Sequence, residues 1–134
     1  MKKVLVLCTG NSCRSIIAEA LINTFLDGIE AQSSGVRASG RVNPHAKALL
    51  KEKGIWRETY HSKVIEEVID TEFDLIVTVC DHAQETCPMF PKPIPRLHVS
   101  FPDPDGKGEE AFEACYEAIK KELLLQVRAH VKMV

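Results

Sequence analysis

Four consecutive apolar residues, Val4-Leu5-Val6-Leu7, run straight into Cys8-Thr9-Gly10-Asn11-Ser12-Cys13-Arg14, after which Ile17, Leu21 and Phe25 recur at helical spacing. A run with no polar alternation offers no face to water, so it reads as a strand covered on both sides. Strand, short polar loop and helix in that order open a unit in which the next strand lies parallel to the first. The helix is predicted over about residues 13–26, with Gly28 past its end.

The alternation continues. Residues 29–34 read as a second strand ended by Gly35, and Asn43-Pro44 is a helix start, capping residue then first-turn residue, for a helix that Gly54 stops after Lys53. Residues 62–69 predict a short helix, 75–79 a third buried strand and 96–100 a fourth. A long helix is expected from Glu109 to the C-terminus, with Phe112, Tyr116, Ile119, Leu123 and Val127 on one face. Alternating elements of this kind specify an α/β fold, a parallel sheet with helices on both faces. At 134 residues the chain suits one domain, residues 1–134, around one core.

Charge narrows the partners. With 17 basic and 19 acidic residues the net charge is -2, so no basic surplus points to nucleic acid or to a membrane surface. The opening Met1-Lys2-Lys3 resembles the charged start of a signal peptide, but no long apolar stretch or small-residue cleavage site follows. A cytoplasmic protein is therefore expected, and with no long unexplained apolar face a monomer.

The loop after the first strand has the chemistry of an oxyanion site. It lies beyond the carboxyl end of a strand, where α/β sheets bind ligands. Its backbone N–H groups and the following helix N-terminus favour negative charge. Thr9, Gly10, Asn11, Ser12, Cys13, Arg14 and Ser15 are the expected binding residues: Gly10 for close approach, Asn11 to hold the loop through its amide, and Arg14 as a planar fork for two oxygens. The same surroundings are expected to lower the pKa of Cys8, making it a nucleophile, with Ser15 as a hydrogen-bond donor to its sulfur. Cys13 is read as the start of the helix rather than as a second nucleophile.

Five cysteines, Cys8, Cys13, Cys80, Cys87 and Cys115, do not form a disulfide framework in a chain of this type. Cys115 lies on the apolar face of the last helix. Cys80 ends a buried strand, where a small thiol is also a common core residue. Cys87 precedes Pro88 and has no packing explanation. Six of the seven prolines fall between Pro88 and Pro104, which reads as stiffened loops around a site. A zinc site from Cys80, His82, Cys87 and His98 is conceivable by residue type, but the spacing matches no usual arrangement.

Residues 7–15, Ser33-Ser34-Gly35, Asn43-Pro44, residues 77–81, residues 86–89 and residues 101–104 occur in an order that resembles the low-molecular-weight tyrosine phosphatase superfamily and, within it, the thioredoxin-coupled arsenate reductases. The resemblance implies a four-stranded parallel sheet. It implies a relay of three thiols, Cys8, Cys80 and Cys87, with Arg14 binding arsenate and Asp103 as general acid, and with thioredoxin as the reductant. The alternative it leaves open is a tyrosine phosphatase using Cys8, Arg14 and Asp103 alone. Cys80 and Cys87 are seven residues apart. If the segment between them is helical, their Cα atoms are roughly 10 Å apart, whereas a disulfide needs about 4.4–6.8 Å. A redox switch over residues 80–90 is therefore expected.

Two departures from the family pattern stand out. The resemblance implies a potassium site using Asn11, Ser34 and a Thr-Ser-Asp stretch, but that stretch is His61-Ser62-Lys63 here. Lys63 is expected to replace the ion, so no metal is expected, and His61 is read as a structural hydrogen-bonding residue. Pro104 is followed by Asp105-Gly106-Lys107-Gly108 rather than by the aromatic residues that line a phosphotyrosine slot.

Overall fold

The computed structural model describes residues 1–87, 90 and 93–132. The elements run β1 (Lys2–Cys8), α1 (Arg14–Phe25), β2 (Ile29–Gly35), α2 (Pro44–Glu52), β3 (Leu75–Thr78), α3 (Asp81–Thr86), β4 (Arg96–His98) and α4 (Glu109–Lys132). The expected end of the last helix at Met133-Val134 lies outside the described residues.

The four strands form one parallel sheet in the order β2-β1-β3-β4. Residues 4–8 of β1 and all of β3 are buried, as their unbroken apolar runs require. Over β1, helix α1 is buried nearly all round from Ser15 to Ile22. Helix α4 buries the stripe Phe112, Cys115, Tyr116, Ile119, Leu123, Val127 and Val131 and packs on α1. Among the described residues no helix is long and apolar enough to cross a membrane.

Helix α2 begins as its sequence dictates: Asn43 Oδ1 accepts from His45 N–H at 2.8 Å and Pro44 fills the first turn. The short helix expected over 62–69 is a correction. Only Ile65–Glu67 form a 3₁₀ turn. Residues 61–64 are extended, because Val64 pairs with Gly35 at the end of β2 and Lys63 C=O accepts from Gly35 N–H at 3.0 Å. A sheet partner outcompetes the local helical pattern there.

The topology places the site. From β1 the chain crosses to β2 on one side, then back over β1 to β3 on the other. The carboxyl ends of β1 and β3 therefore flank the point where the direction reverses, and a crevice opens there. Leu7 pairs with Thr78 across that seam, so Cys8 and Cys80 leave the sheet as neighbours.

Candidate active site

The loop after Cys8 is shaped by its carbonyls. Cys8 C=O accepts from Val36 N–H (3.1 Å), Thr9 C=O from Arg37 N–H (2.9 Å), Gly10 C=O from Ser39 N–H (2.9 Å) and Ser62 Oγ (3.1 Å), and Ser12 C=O from Asn43 N–H (2.8 Å). All peptides here are trans. In a trans peptide the next residue's N–H points opposite the C=O. With four carbonyls bonded to residues 36–43 and 62, the N–H groups of Thr9, Gly10, Asn11 and Cys13 point away from those partners, free to form the bowl that an anion needs.

Asn11 is the pillar of the loop. It sits at φ 50°, the left-handed region where asparagine is among the few tolerated side chains. Its buried amide donates to Ser15 Oγ (2.7 Å) and Ser33 Oγ (2.9 Å) and accepts from Lys63 N–H (2.8 Å). A second close approach, between protein segments, is made at Gly35. A Cβ on Gly35 would stand 2.6 Å from Thr9 O, 3.0 Å from Ala38 Cα and 3.1 Å from Asn11 Cβ, whereas one on Gly10 would meet ordinary contacts. Ser15 Oγ accepts from Asn11, which leaves its own O–H to donate.

Arg14 opens α1 and lies over the bowl. Its NH1 donates to Phe101 C=O at 2.9 Å and its NH2 lies 3.8 Å from Asp103 Oδ2, while its buried Nε has no partner among the described residues. A buried guanidinium N–H without an acceptor is costly, and an oxyanion in the bowl would supply one. Asp103 is half exposed. Its Oδ1 accepts from Asp105 N–H (3.0 Å) and from the Cys13 thiol (3.7 Å). Burial keeps the Cys13 thiol protonated by raising its pKa, so it remains a donor.

Cys8 and Cys80 are both buried and hydrogen-bond to one another. That bond raises the Cys8 thiol far above its ordinary value, with burial second, and draws Cys80 down to about 5, helped by Thr9 and the Ala83 N–H of α3. Thr9 Oγ1 lies 3.3 Å from Cys80 Sγ. The two thiols therefore titrate as a pair, a thiolate on one holding the proton on its neighbour. Arg14 lowers the Cys8 pKa, as expected, and the neighbouring Cys80 opposes it. Cys87 caps the far end of α3, half-buried, with its pKa raised by burial. Pro88 and Met89 of the expected switch lie outside the described residues.

Behind Asn11 stands a buried polar cluster that sequence reasoning missed in part. Ser33 Oγ donates to Glu19 Oε1 at 2.6 Å, and burial raises Glu19 to about 7 against the nearby charge of Lys63. Lys63 is only 6% exposed. The one available signal was a carboxylate inside the apolar stretch 16–22 of α1. His61 makes hydrogen bonds to Thr59 C=O and Glu67, the structural part expected of it. The zinc grouping is not assembled: among the described residues no three candidate ligands cluster, and His98 is engaged by Thr78 and Asp81.

Comparison with known proteins agrees with this geometry. The family described as "Low molecular weight phosphotyrosine protein phosphatase" matches residues 3–132. The chain is 42% identical over 119 residues to a curated relative, "Arsenate reductase" from Brevibacillus brevis, covering 88% of each. Its fold is similar to a crystal structure of arsenate reductase from Archaeoglobus fulgidus, with TM-score 0.79 and 33% identity over 92% of this chain and 98% of that one. It is also similar to the YwlE arginine phosphatase from Geobacillus stearothermophilus, with TM-score 0.73 and 29% identity over 99% and 93%.

Proposed function

The chain belongs to the low molecular weight phosphotyrosine protein phosphatase family, and from that premise we propose that it is an arsenate reductase, using Cys8, Cys80 and Cys87 as a relay and thioredoxin as the reductant. The observation that carries the reading is a second buried thiol, Cys80, which leaves the sheet beside Cys8 at the β1–β3 seam with Thr9 Oγ1 3.3 Å from its sulfur. A hydrolase has no use for a thiolate there, while a reductase needs one.

Arsenate occupies the bowl of N–H groups formed by residues 9–15, under Arg14. Cys8 sulfur bonds to arsenic as an oxygen departs as water. The thiol's proton leaves with that oxygen, and Asp103 hands it over. Cys80 thiolate then attacks Cys8 sulfur. The S–S bond forms, the S–As bond breaks, and its electron pair stays on arsenic as arsenite. Cys87, deprotonated to solvent, attacks Cys80 and releases Cys8 thiolate. The Cys80–Cys87 bridge is returned to two thiols by an external dithiol through ordinary exchange. Free thiols in this role suit a reducing compartment, so the reading places the protein in the cytoplasm, and it takes the protein as a monomer.

No metal is part of the reading. In this reading Lys63, buried where the family pattern has an aspartate, takes the place of a potassium ion, and its charge acts on the nearby Glu19. Exchanging sodium for potassium in the assay is expected to leave the rate unchanged. A several-fold rise would remove this assignment.

The deciding experiment is arsenate reduction with thioredoxin, its reductase and NADPH, comparing wild type with Cys87→Ser. The variant is expected to release one arsenite per chain and stop. Sustained turnover at the wild-type rate would leave the phosphatase reading, with Cys8, Arg14 and Asp103 alone, as the better one.

A further inference from the structure

Outside the bowl, three side chains tie α3 to the edge of the sheet. Thr78 ends β3 and pairs with His98 at the end of β4. Thr78 Oγ1 lies 2.7 Å from His98 Nδ1, and His98 Nε2 lies 2.9 Å from Asp81 Oδ1. Thr78 is buried and fixes the ring, and the ring in turn meets the first residue of α3. Cys80 lies between Thr78 and Asp81 in sequence, so the imidazole spans the residue on which the relay turns.

Helix α3 has six residues, Asp81–Thr86, with Cys80 and Cys87 as its two caps. A helix this short does not hold itself together. Among its supports are the buried Ala83, Gln84 N–H to Cys80 C=O at 3.2 Å, and the Asp81–His98 contact. Bringing caps roughly 10 Å apart to within about 4.4–6.8 Å requires the helix to open, and Asp81 is its first residue. A contact made in one redox state only shifts the equilibrium toward that state.

We propose that His98 is a positioning residue that clamps α3 in the dithiol state through Thr78 and Asp81, and that this clamp opens when the Cys80–Cys87 bridge forms. The proposal rests on the three-thiol reading. Nothing in it requires His98 to touch arsenate.

The test is exchange equilibrium of the full chain with glutathione: Cys80 and Cys87 thiols plus oxidised glutathione against the Cys80–Cys87 disulfide plus two reduced glutathiones. The bridge is quantified by alkylation and peptide mapping. Asp81 is 75% exposed on its side chain, so the clamp is modest. His98→Ala and Asp81→Ala are each expected to move the equilibrium constant about two- to five-fold toward disulfide. The double variant should move it no further than either single one, and His98→Gln should recover part of the effect. The melting temperature should fall in the reduced protein and not in the oxidised one. A bridge that forms with an unchanged constant in both single variants overturns the clamp alone. If wild type forms no Cys80–Cys87 bridge, the three-thiol reading falls and the clamp with it.

Discussion

The loop after Cys8 and the helix after Cys80 leave the same edge of the same sheet, yet they are built in opposite ways. The loop is over-determined: four carbonyls, the Asn11 amide and Gly35 tie it to residues 33–43 and 62–63. Helix α3 is six residues long and rests on a few contacts at its first turn. A site that must recognise a tetrahedral anion gains from preorganisation, because no ordering remains to be done on binding. A relay that must bring two thiols together gains from an element whose opening costs little. One active site contains both, and the seam between β1 and β3 separates them.

The difference predicts where the fold tolerates damage. Gly35→Ala drives a methyl into Thr9 C=O and the Asn11 side chain, and is expected to destabilise by about 1–3 kcal/mol as overpacking and to weaken phosphate binding. Gln84→Gly, on the exposed side of α3, should cost no more than about 1 kcal/mol, while raising amide exchange over residues 81–87. Thermal melts and exchange mapping on the two variants check this. Equal loss of global stability in both would mean that α3 is as firmly built as the loop.

A second prediction concerns the contact between the two regions. Alkylation of Cys80 is expected to rise with a midpoint near pH 5, since its thiolate persists down to about 5. Cys8→Ala removes the first cause of that shift, so the midpoint should move upward toward an ordinary thiol, with Thr9 and the Ala83 N–H retaining part of it. Iodoacetamide rates across pH 4–9, with peptide mapping, measure both midpoints. An unchanged midpoint in Cys8→Ala would make Cys80 independent of the loop.

The same contrast governs what was legible in the sequence. The loop is written in contiguous residues: an apolar strand, the seven residues 8–14 and a helix stripe. Local pattern therefore reached its place, its asparagine pillar and its arginine. The helix at residue 44 was legible for the same reason, since cap and first turn are adjacent. What stayed hidden depends on chain segments far apart. Residues 62–69 read as a short helix, but Val64 finds a sheet partner in Gly35. Cys8 titrates together with Cys80, which stands beside it from 72 positions later in the chain. Gly35 also lies tight against the loop, and that contact comes from another strand. The His98 contact joins β4 to α3, and no spacing rule connects those positions.

A third prediction tests the cluster that holds the loop from behind. Burial raises Glu19 from 4.5 to about 7. Between those values the folded chain keeps a proton on Glu19 that the unfolded chain releases, so this group's contribution to stability is fullest below pH 4.5 and is lost as pH rises through 7. The loss is on the order of 1–3 kcal/mol, with Lys63 and Ser33 opposing it. Glu19→Gln keeps an acceptor for Ser33 and removes the titration, so its stability relative to wild type should climb as pH goes from 5 to 8. Denaturant melts at each pH, compared as a difference, isolate Glu19 from the groups common to both chains. Parallel curves would mean that the carboxylate is already ionised throughout, neutralised by Lys63. The cluster behind Asn11 would then be a permanent ion pair, and the loop would be pinned by charge as firmly as by hydrogen bonds.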